Sequence, residues 1–510
     1  MMAFKKFWLW YLISLANSGC FAQNQPPTAY ADYIDTLSAK KHLQIIASDA
    51  FEGRETGKRG AERAAQYIAT QFESIGLTAP VNHTFFQSVK LTTTKFYIDH
   101  FQIGTTPFHS GKDFLIIQPA IQQHIRDNQI VCVGYGKKSR EQHTVDFSIR
   151  NKVVLLIDES KVSKHGNNQH IQNLLSQKPK LILSASATAD SLLKRVKEIQ
   201  HEEIIRLQED VASDTINSQA ETPVVYISAQ TANRILASGN RTLQQFTTEM
   251  NRQREPINFR FDTHLDLSFG IRAVPVKAQN VLGYMEGTDL KNELLIITAH
   301  YDHIGINPDG QINNGADDDG SGVTGVLEIA KAFSAAKKNG QGPRRSILFM
   351  TVTGEEKGLL GSDYYTRHPI FPLASTIANL NIDMIGRIDP RHTTNPNYVY
   401  LVGSDKLSST LHQISETANS QYTKLQLDYK YNDPTDPERI YYRSDHYNFA
   451  KHNIPVIFYF NGVHADYHDI GDTVDKIDFN LLTRRAKLVF YTAWDLANRD
   501  QRPLVDANKK

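Results

Sequence analysis

The stretch from Leu294 to Gly322 reads LLIITAHYDHIGINPDGQINNGADDDGSG. It opens on four apolar residues, Leu294, Leu295, Ile296 and Ile297. That is the composition of a short buried strand, though periodicity alone does not separate it from a buried helical segment. The run ends in His300-Tyr301-Asp302. A loop rich in glycine and asparagine follows, then three consecutive acids, Asp317, Asp318 and Asp319. Beyond Gly320-Ser321-Gly322, residues Val323, Val326, Leu327, Ala330 and Phe333 share one helical face. A histidine therefore ends a buried strand and carboxylates begin a helix. In open α/β sheets, ligands bind just beyond the carboxyl ends of the strands.

Histidine and aspartate together suit a borderline divalent metal such as zinc. Taken alone, the three acids have a plainer reading, an N-cap with dipole-favoured acids in the first helical turn. A calcium loop of the EF-hand type fails on spacing, because Gly315 and Val326 stand where its first and last acids should.

Other strand ends carry the same kinds of residue. Ser346–Val352 reads SILFMTV and runs into Thr353-Gly354-Glu355-Glu356. Ile377–Ile382 ends at Asp383, and Ile454–Phe460 leads into the loop to His468. One such residue is unremarkable; four strands finishing this way point to one shared site. Two imidazoles and three carboxylates suit a pair of ions about 3.5–4 Å apart, with positions left for water. Asp302, two residues after His300, is expected to accept the proton of the second ring nitrogen. Of Glu355 and Glu356, one is expected to bind metal and the other to take a proton from water.

The remaining chain sets the frame. At 510 residues it holds two or three domains. Lys+Arg of 56 against Asp+Glu of 55 gives a net charge of +1, which offers nothing to nucleic acid or another polyanion. Lys5 and Lys6 precede an apolar run, Phe7 to Ala16, too short to span a bilayer. With Cys20-Phe21-Ala22 after it, this reads as a signal peptide cut after Ala22, giving a periplasmic or extracellular protein without a stable membrane span. Acylation of Cys20 is the alternative, although Asn17 stands where a lipobox usually has leucine. The other cysteine, Cys132, would then have no partner in the mature chain.

Helices are expected from Tyr33 to Ala47 and from about Gly60 to Gly76, on either side of a polar loop, Phe51 to Gly57. Phe85 to Phe96 reads as strand. Between about Thr105 and Thr247 lie the runs IVCVGYG, KVVLLID and TPVVYIS, with a charged, helical pattern over Ser191–Asp210 and no catalytic constellation. This block reads as a β-rich insert. Strands are expected at Phe259–Ile271 and Asn280–Met285, and a closing helix carries Leu482, Ala486, Val489, Phe490 and Ala493 on one face.

HYDH, GADDDGSG, TGEEKGLLGS, NIDMIG and DYHDIGDT resemble, in order and spacing, the signatures of metallopeptidase family 28, a group of co-catalytic zinc exopeptidases. Ile46 to Leu77 resembles the family's N-terminal segment. VCVGYG, KVVLLID and TPVVYIS resemble the protease-associated (PA) domain inserted in many members. The resemblance covers nearly all of the mature chain. It implies a mixed α/β fold with a mostly parallel central sheet flanked by helices and an inserted β-rich PA domain. The implied division is a signal peptide at 1–22, a catalytic domain at 30–104 and 248–500, a PA-like insert at 105–247 and a tail at 501–510.

The resemblance also implies roles. His300 and Asp383 would bind one Zn2+, and Glu356 and His468 a second, with Asp318 bridging the two. Glu355 would be the general base, Asp302 would orient His300, and Tyr467 would help stabilise an oxyanion. Ile470-Gly471 departs from the proline-containing turn usual after the last histidine. The implied activity is release of N-terminal amino acids from peptide substrates. Its rivals are a carboxypeptidase or dipeptidase on the same scaffold, using Arg387 or Arg443 to grip a carboxylate, and a non-catalytic receptor-like binding protein.

Overall fold

The computed structural model describes residues 26–116, 123–134, 148–158, 169–186, 189, 193, 204–211, 222–253 and 258–507. The expected signal peptide and Cys20 lie outside these residues. So do most of Ser191–Asp210 and the end of the IVCVGYG run. Two compact units are present. One combines the residues up to Gln87 with those from Gln279 onward; the other runs from Ser88 to Ala278.

The first unit is built on the buried strand expected from the sequence, Leu290–His300. It pairs in parallel with Arg345–Val352 on one side and Thr376–Ile382 on the other. Val456–Phe460 continues the parallel set beside Thr376–Ile382. Tyr398–Val402 is antiparallel to Val456–Phe460 and carries Gln426–Asp428 in parallel at its edge. Met285 to Val281 runs antiparallel to Arg345–Val352. The sheet is thus mixed and mostly parallel.

Side chains alternate across it because successive residues of a strand face opposite ways. Leu295, Ile297, Ile347 and Phe349 join one core with the helices Thr36–Ile46, Arg59–Ser74, Gly322–Lys338, Ser409–Ala418 and Phe479–Asn498. Leu294, Ile296, Leu348 and Met350 join a second core under the short helices Leu360–Arg367 and His446–Ala450. A parallel sheet covered on both faces needs strands apolar on both faces, which is why these runs show no alternation in sequence.

The second unit has its own core, including Ile130, Leu155, Leu183, Ile227 and Ile235. Gln123–Cys132, Val153–Asp158, Leu181–Ser186 and Val224–Ile227 pair in parallel in that order. Phe114–Ile116 closes one edge in antiparallel fashion. Cys132 is buried, and burial pushes its thiol up to about 12, so it is an inert core residue.

This unit, Ser88–Ala278, includes the 105–247 block. Two expectations are corrected here. Within Ser191–Asp210, residues Ile204–Leu207 form a strand against Leu91–Thr94, so a non-local pairing overrides the local helical pattern. The two strands expected at Phe259–Ile271 and Asn280–Met285 are one, Phe259–Met285. Pro275 lies inside it, and its fixed φ is compatible with extended backbone. Among the described residues, no helix is long and apolar enough to cross a membrane.

Candidate metal centre

The register of the parallel strands assembles the centre. His300 ends its strand opposite Val352. Glu355 and Glu356 follow Val352 by three and four residues, and Asp383 follows Ile382 directly. These residues therefore emerge at one edge of the sheet. The loop before the helix Gly322–Lys338 returns to that edge through Gly315, at φ +56. A Cβ there would stand 2.3 Å from the main-chain oxygen of Asp318 and 2.5 Å from the His303 ring, so glycine is required.

The three consecutive acids divide their work. Asp319 accepts the main-chain N–H of Gly322 at 2.8 Å and of Met384 at 3.0 Å. Asp317 accepts the N–H of Gly386 at 2.6 Å and the Ser321 hydroxyl at 3.0 Å. Both tie loops together. Asp318, between them, faces the centre. Its Oδ1 is 3.2 Å from Nε2 of His300, and its Oδ2 is 3.1 Å from Nε2 of His468. His300 Nε2 is also 3.6 Å from Asp383 and 3.9 Å from Glu355. His468 Nε2 is 3.0 Å from Glu356. The five expected ligands and Glu355 are thus brought together.

Their surroundings hold them. Asp383 accepts the Ser444 hydroxyl at 2.6 Å, and Ser444 in turn accepts from Asn381 at 2.8 Å. Asp472 accepts the main-chain N–H groups of Asp317 and Asp318, each at 3.0 Å. Arg54 is fully buried and donates to the main-chain oxygens of Tyr301, Asn314 and Gly315 at 2.9, 2.5 and 2.8 Å. The Asp466–Asp472 turn closes on main-chain hydrogen bonds of 3.1 Å from Asp469 to Asp466 and from Asp472 to Asp469, without a proline.

Asp302 differs from expectation. Nδ1 of His300 lies 3.0 Å from the main-chain oxygen of Asp302 and 3.7 Å from its carboxylate. The carboxylate instead takes the Thr56 hydroxyl at 2.6 Å and the N–H of Glu355 at 3.2 Å. A carbonyl fixes a histidine tautomer as well as a carboxylate does, so the nearer acceptor is backbone.

Burial and charge push the titrating groups apart. Glu355 is held well above the usual carboxyl range by burial, reinforced by Glu356, Asp383 and Asp445. Burial acts the same way on Asp318, but the imidazoles of His300 and His468 outweigh it and hold that carboxyl well below its usual range. Glu356 is also lowered, since His303 and His468 outweigh burial and the neighbouring Asp318. Burial lowers His468, yet Asp318 and Glu356 raise it to about 10. Tyr467 stacks on His468 with ring centroids 3.9 Å apart.

The donor set fits a pair of borderline cations. Donor atoms of His300, Glu355 and Asp383 lie within 4.8 Å of one another, and so do those of His303, Asp318 and Glu356. Oδ2 of Asp318 and Nε2 of His303 are buried without a hydrogen-bond partner. A buried carboxylate oxygen without a hydrogen-bond donor, 3.7 Å from Nδ1 of His303, calls for a positive charge beside it.

Sequence reading missed His303, whose Nδ1 is 2.9 Å from Glu356. Its signal was its place in HYDH, one residue beyond Asp302. It also missed Asp472 and Arg54, whose partners are distant in sequence. The two arginines weighed as carboxylate grips differ: Arg387 is tied to Asp466 at 2.7 Å, whereas Arg443 is exposed with Nη2 3.4 Å from the Tyr467 hydroxyl.

Residues 280–493 match peptidase family M28. The chain is 27% identical over 254 residues to a probable zinc metalloprotease of Pyrenophora teres f. teres, covering 45% of this chain and 50% of that one. It is 31% identical over 212 residues to a probable leucine aminopeptidase of Arthroderma benhamiae, covering 40% and 54%. It thus spans about half the length of the curated relatives it matches. An aminopeptidase from Aneurinibacillus sp. strain AM-1 has a similar fold, with a TM-score of 0.50 at 17% identity over 94% of this chain and 98% of that one.

Proposed function

We propose that the protein is an exported, two-zinc metallo-exopeptidase that releases N-terminal amino acids from peptides. One observation carries this reading: the two oxygens of Asp318 face different imidazoles, at 3.2 Å and 3.1 Å, as a carboxylate bridging two ions would. His300 and Asp383 would hold one Zn2+ and Glu356 and His468 the other, with Asp318 shared and His303 packed beside the second. When bound, such a pair supplies Lewis-acid polarisation of the scissile carbonyl and lowers the pKa of water.

The remaining work falls to the chain's own groups. Glu355 takes the proton of the attacking water and returns it to the departing amine. Burial and the neighbouring carboxylates raise its carboxyl pKa, which strengthens it as a base. The main-chain oxygen of Asp302 keeps Nε2 of His300 directed at the centre, and the Asp302 carboxylate holds the Glu355 backbone in place. The Tyr467 hydroxyl, beside His468, donates to the developing oxyanion. The concentration of carboxylates favours a substrate with a free amine. The unit from Ser88 to Ala278 is read as a PA-like insert that governs access or partner contact.

The carboxypeptidase reading has one observation in its favour, the exposed Arg443 beside Tyr467. The experiment that separates them is a panel of amino-acid nitroanilides and N-blocked dipeptides, assayed with the mature protein. Turnover of the nitroanilides is expected; cleavage of only the blocked peptides would overturn the aminopeptidase reading. N-terminal sequencing of the mature form should begin at about Gln23, and a lipid-modified Cys20 would replace the signal-peptide reading with an anchor.

A further inference from the structure

A second group of metal-type donors lies in the unit from Ser88 to Ala278, on three neighbouring strands. His100 is on Phe86–Ile103, Asp266 on Phe259–Met285 and His124 on Gln123–Cys132, and the strand carrying Asp266 pairs with both of the others. Nε2 of His100 is 2.7 Å from Oδ1 of Asp266, and Nε2 of His124 is 2.8 Å from the same oxygen. The two rings are nearly perpendicular, with centroids 5.8 Å apart. Arg126, directly opposite Asp266 in the ladder, takes the other carboxylate oxygen at 2.9 Å.

We propose that His100, His124 and Asp266 form a separate surface site for a divalent transition metal, zinc above all. Two imidazoles from different strands each direct Nε2 at one carboxylate oxygen. Their three donor atoms lie within 4.8 Å of one another. Zinc held by two imidazoles and one carboxylate sets its donors about 3.3 Å apart, so the rings need to part by only about half an ångström. The imidazoles are 44% and 45% exposed, which leaves them free to make that adjustment and leaves a fourth position to water. Arg126 acts as an outer partner that turns Oδ1 towards the rings. Two nitrogen donors and one oxygen suit zinc, nickel or copper better than magnesium or calcium.

The test uses the full-length mature chain and zinc ion as the probe. Equilibrium dialysis with elemental analysis should give one more zinc per chain at saturation for the unaltered protein than for the His100→Asn/His124→Asn double variant. The same difference of one should persist when both carry Glu356→Ala, which separates this site from the proposed peptidase centre. A second measurement needs no variant. Diethylpyrocarbonate labelling of His100 and His124, mapped by mass spectrometry, should slow severalfold when zinc is added. Equal zinc uptake by the two proteins, or labelling that zinc leaves unchanged, overturns the proposal.

Discussion

Two clusters of imidazole and carboxylate in this chain share donors and differ in burial. At the sheet edge, His300 is 1% exposed and Asp318 and Glu356 are buried beside it, with only His468, at 37%, open to water. In the Ser88–Ala278 unit, His100 and His124 are nearly half exposed around Asp266. Water can screen the second cluster, so without a cation its charges cost little. The buried groups of the first have lost that screening, and its carboxyl groups are driven in opposite directions, Asp318 down and Glu355 up. Burial converts a set of ordinary side chains into one suited to the proposed cation pair, and it raises the carboxyl of Glu355, the proposed base.

The strongest way to break this contrast is Glu355→Gln. The amide keeps the size of the side chain but cannot accept a proton from water. Turnover is expected to fall by about 10²–10⁴-fold while about two zincs per chain remain. Steady-state kinetics with metal analysis reads both. Near-normal turnover would remove Glu355 from the role.

Next comes Arg54→Met, which leaves the carbonyls of Tyr301, Asn314 and Gly315 buried without their donor. A loss of about 3–5 kcal/mol is expected, read from denaturant unfolding. A loss below about 1 kcal/mol would show that water replaces the guanidinium.

A smaller effect sharpens the electrostatic side of the comparison. Asp445, bonded to the Ser362 hydroxyl, is pushed up to about 7, first by burial. Its folded pKa exceeds its unfolded one, so its contribution is complete below about pH 4 and is lost as pH rises through 7. Metal-free protein should therefore lose about 2–3 kcal/mol more between pH 5 and pH 8 than its Asp445→Asn variant. Thermal midpoints at the two pH values test this, and equal losses would refute it.

The smallest effect belongs to the exposed cluster. Asp266→Asn should cost no more than about 1 kcal/mol, and less at high salt. A larger loss would mean that exposure is not what separates the two clusters.

The sequence made the centre legible for a physical reason. A strand buried on both faces must be apolar along its length, so the polar residue that ends it stands out. His300, Glu355, Glu356 and Asp383 were all found this way. The short strands Tyr398–Val402 and Gln426–Asp428 escaped because nothing as distinctive ends them. Ile204–Leu207 escaped because its pairing with Leu91–Thr94 outweighs its own charged surroundings. His303 was hidden by its neighbours in HYDH, and no local pattern announces that Arg54 and Asp472 serve the Asn314–Asp318 loop. Contacts made across hundreds of residues leave no periodicity to read.

That distance sets a timetable. Arg54 leaves the ribosome 260 residues before Asn314, the first of its loop partners. At ordinary synthesis rates the interval is on the order of ten to fifty seconds. Through all of it, the guanidinium has no loop to hold. Asp472, which pins the same loop from its other side, emerges later still. Growing chains therefore carry the metal-type residues without the clamp that gathers them. The centre closes only once Asp472 has emerged, and a chain exported before folding would first complete it at its destination.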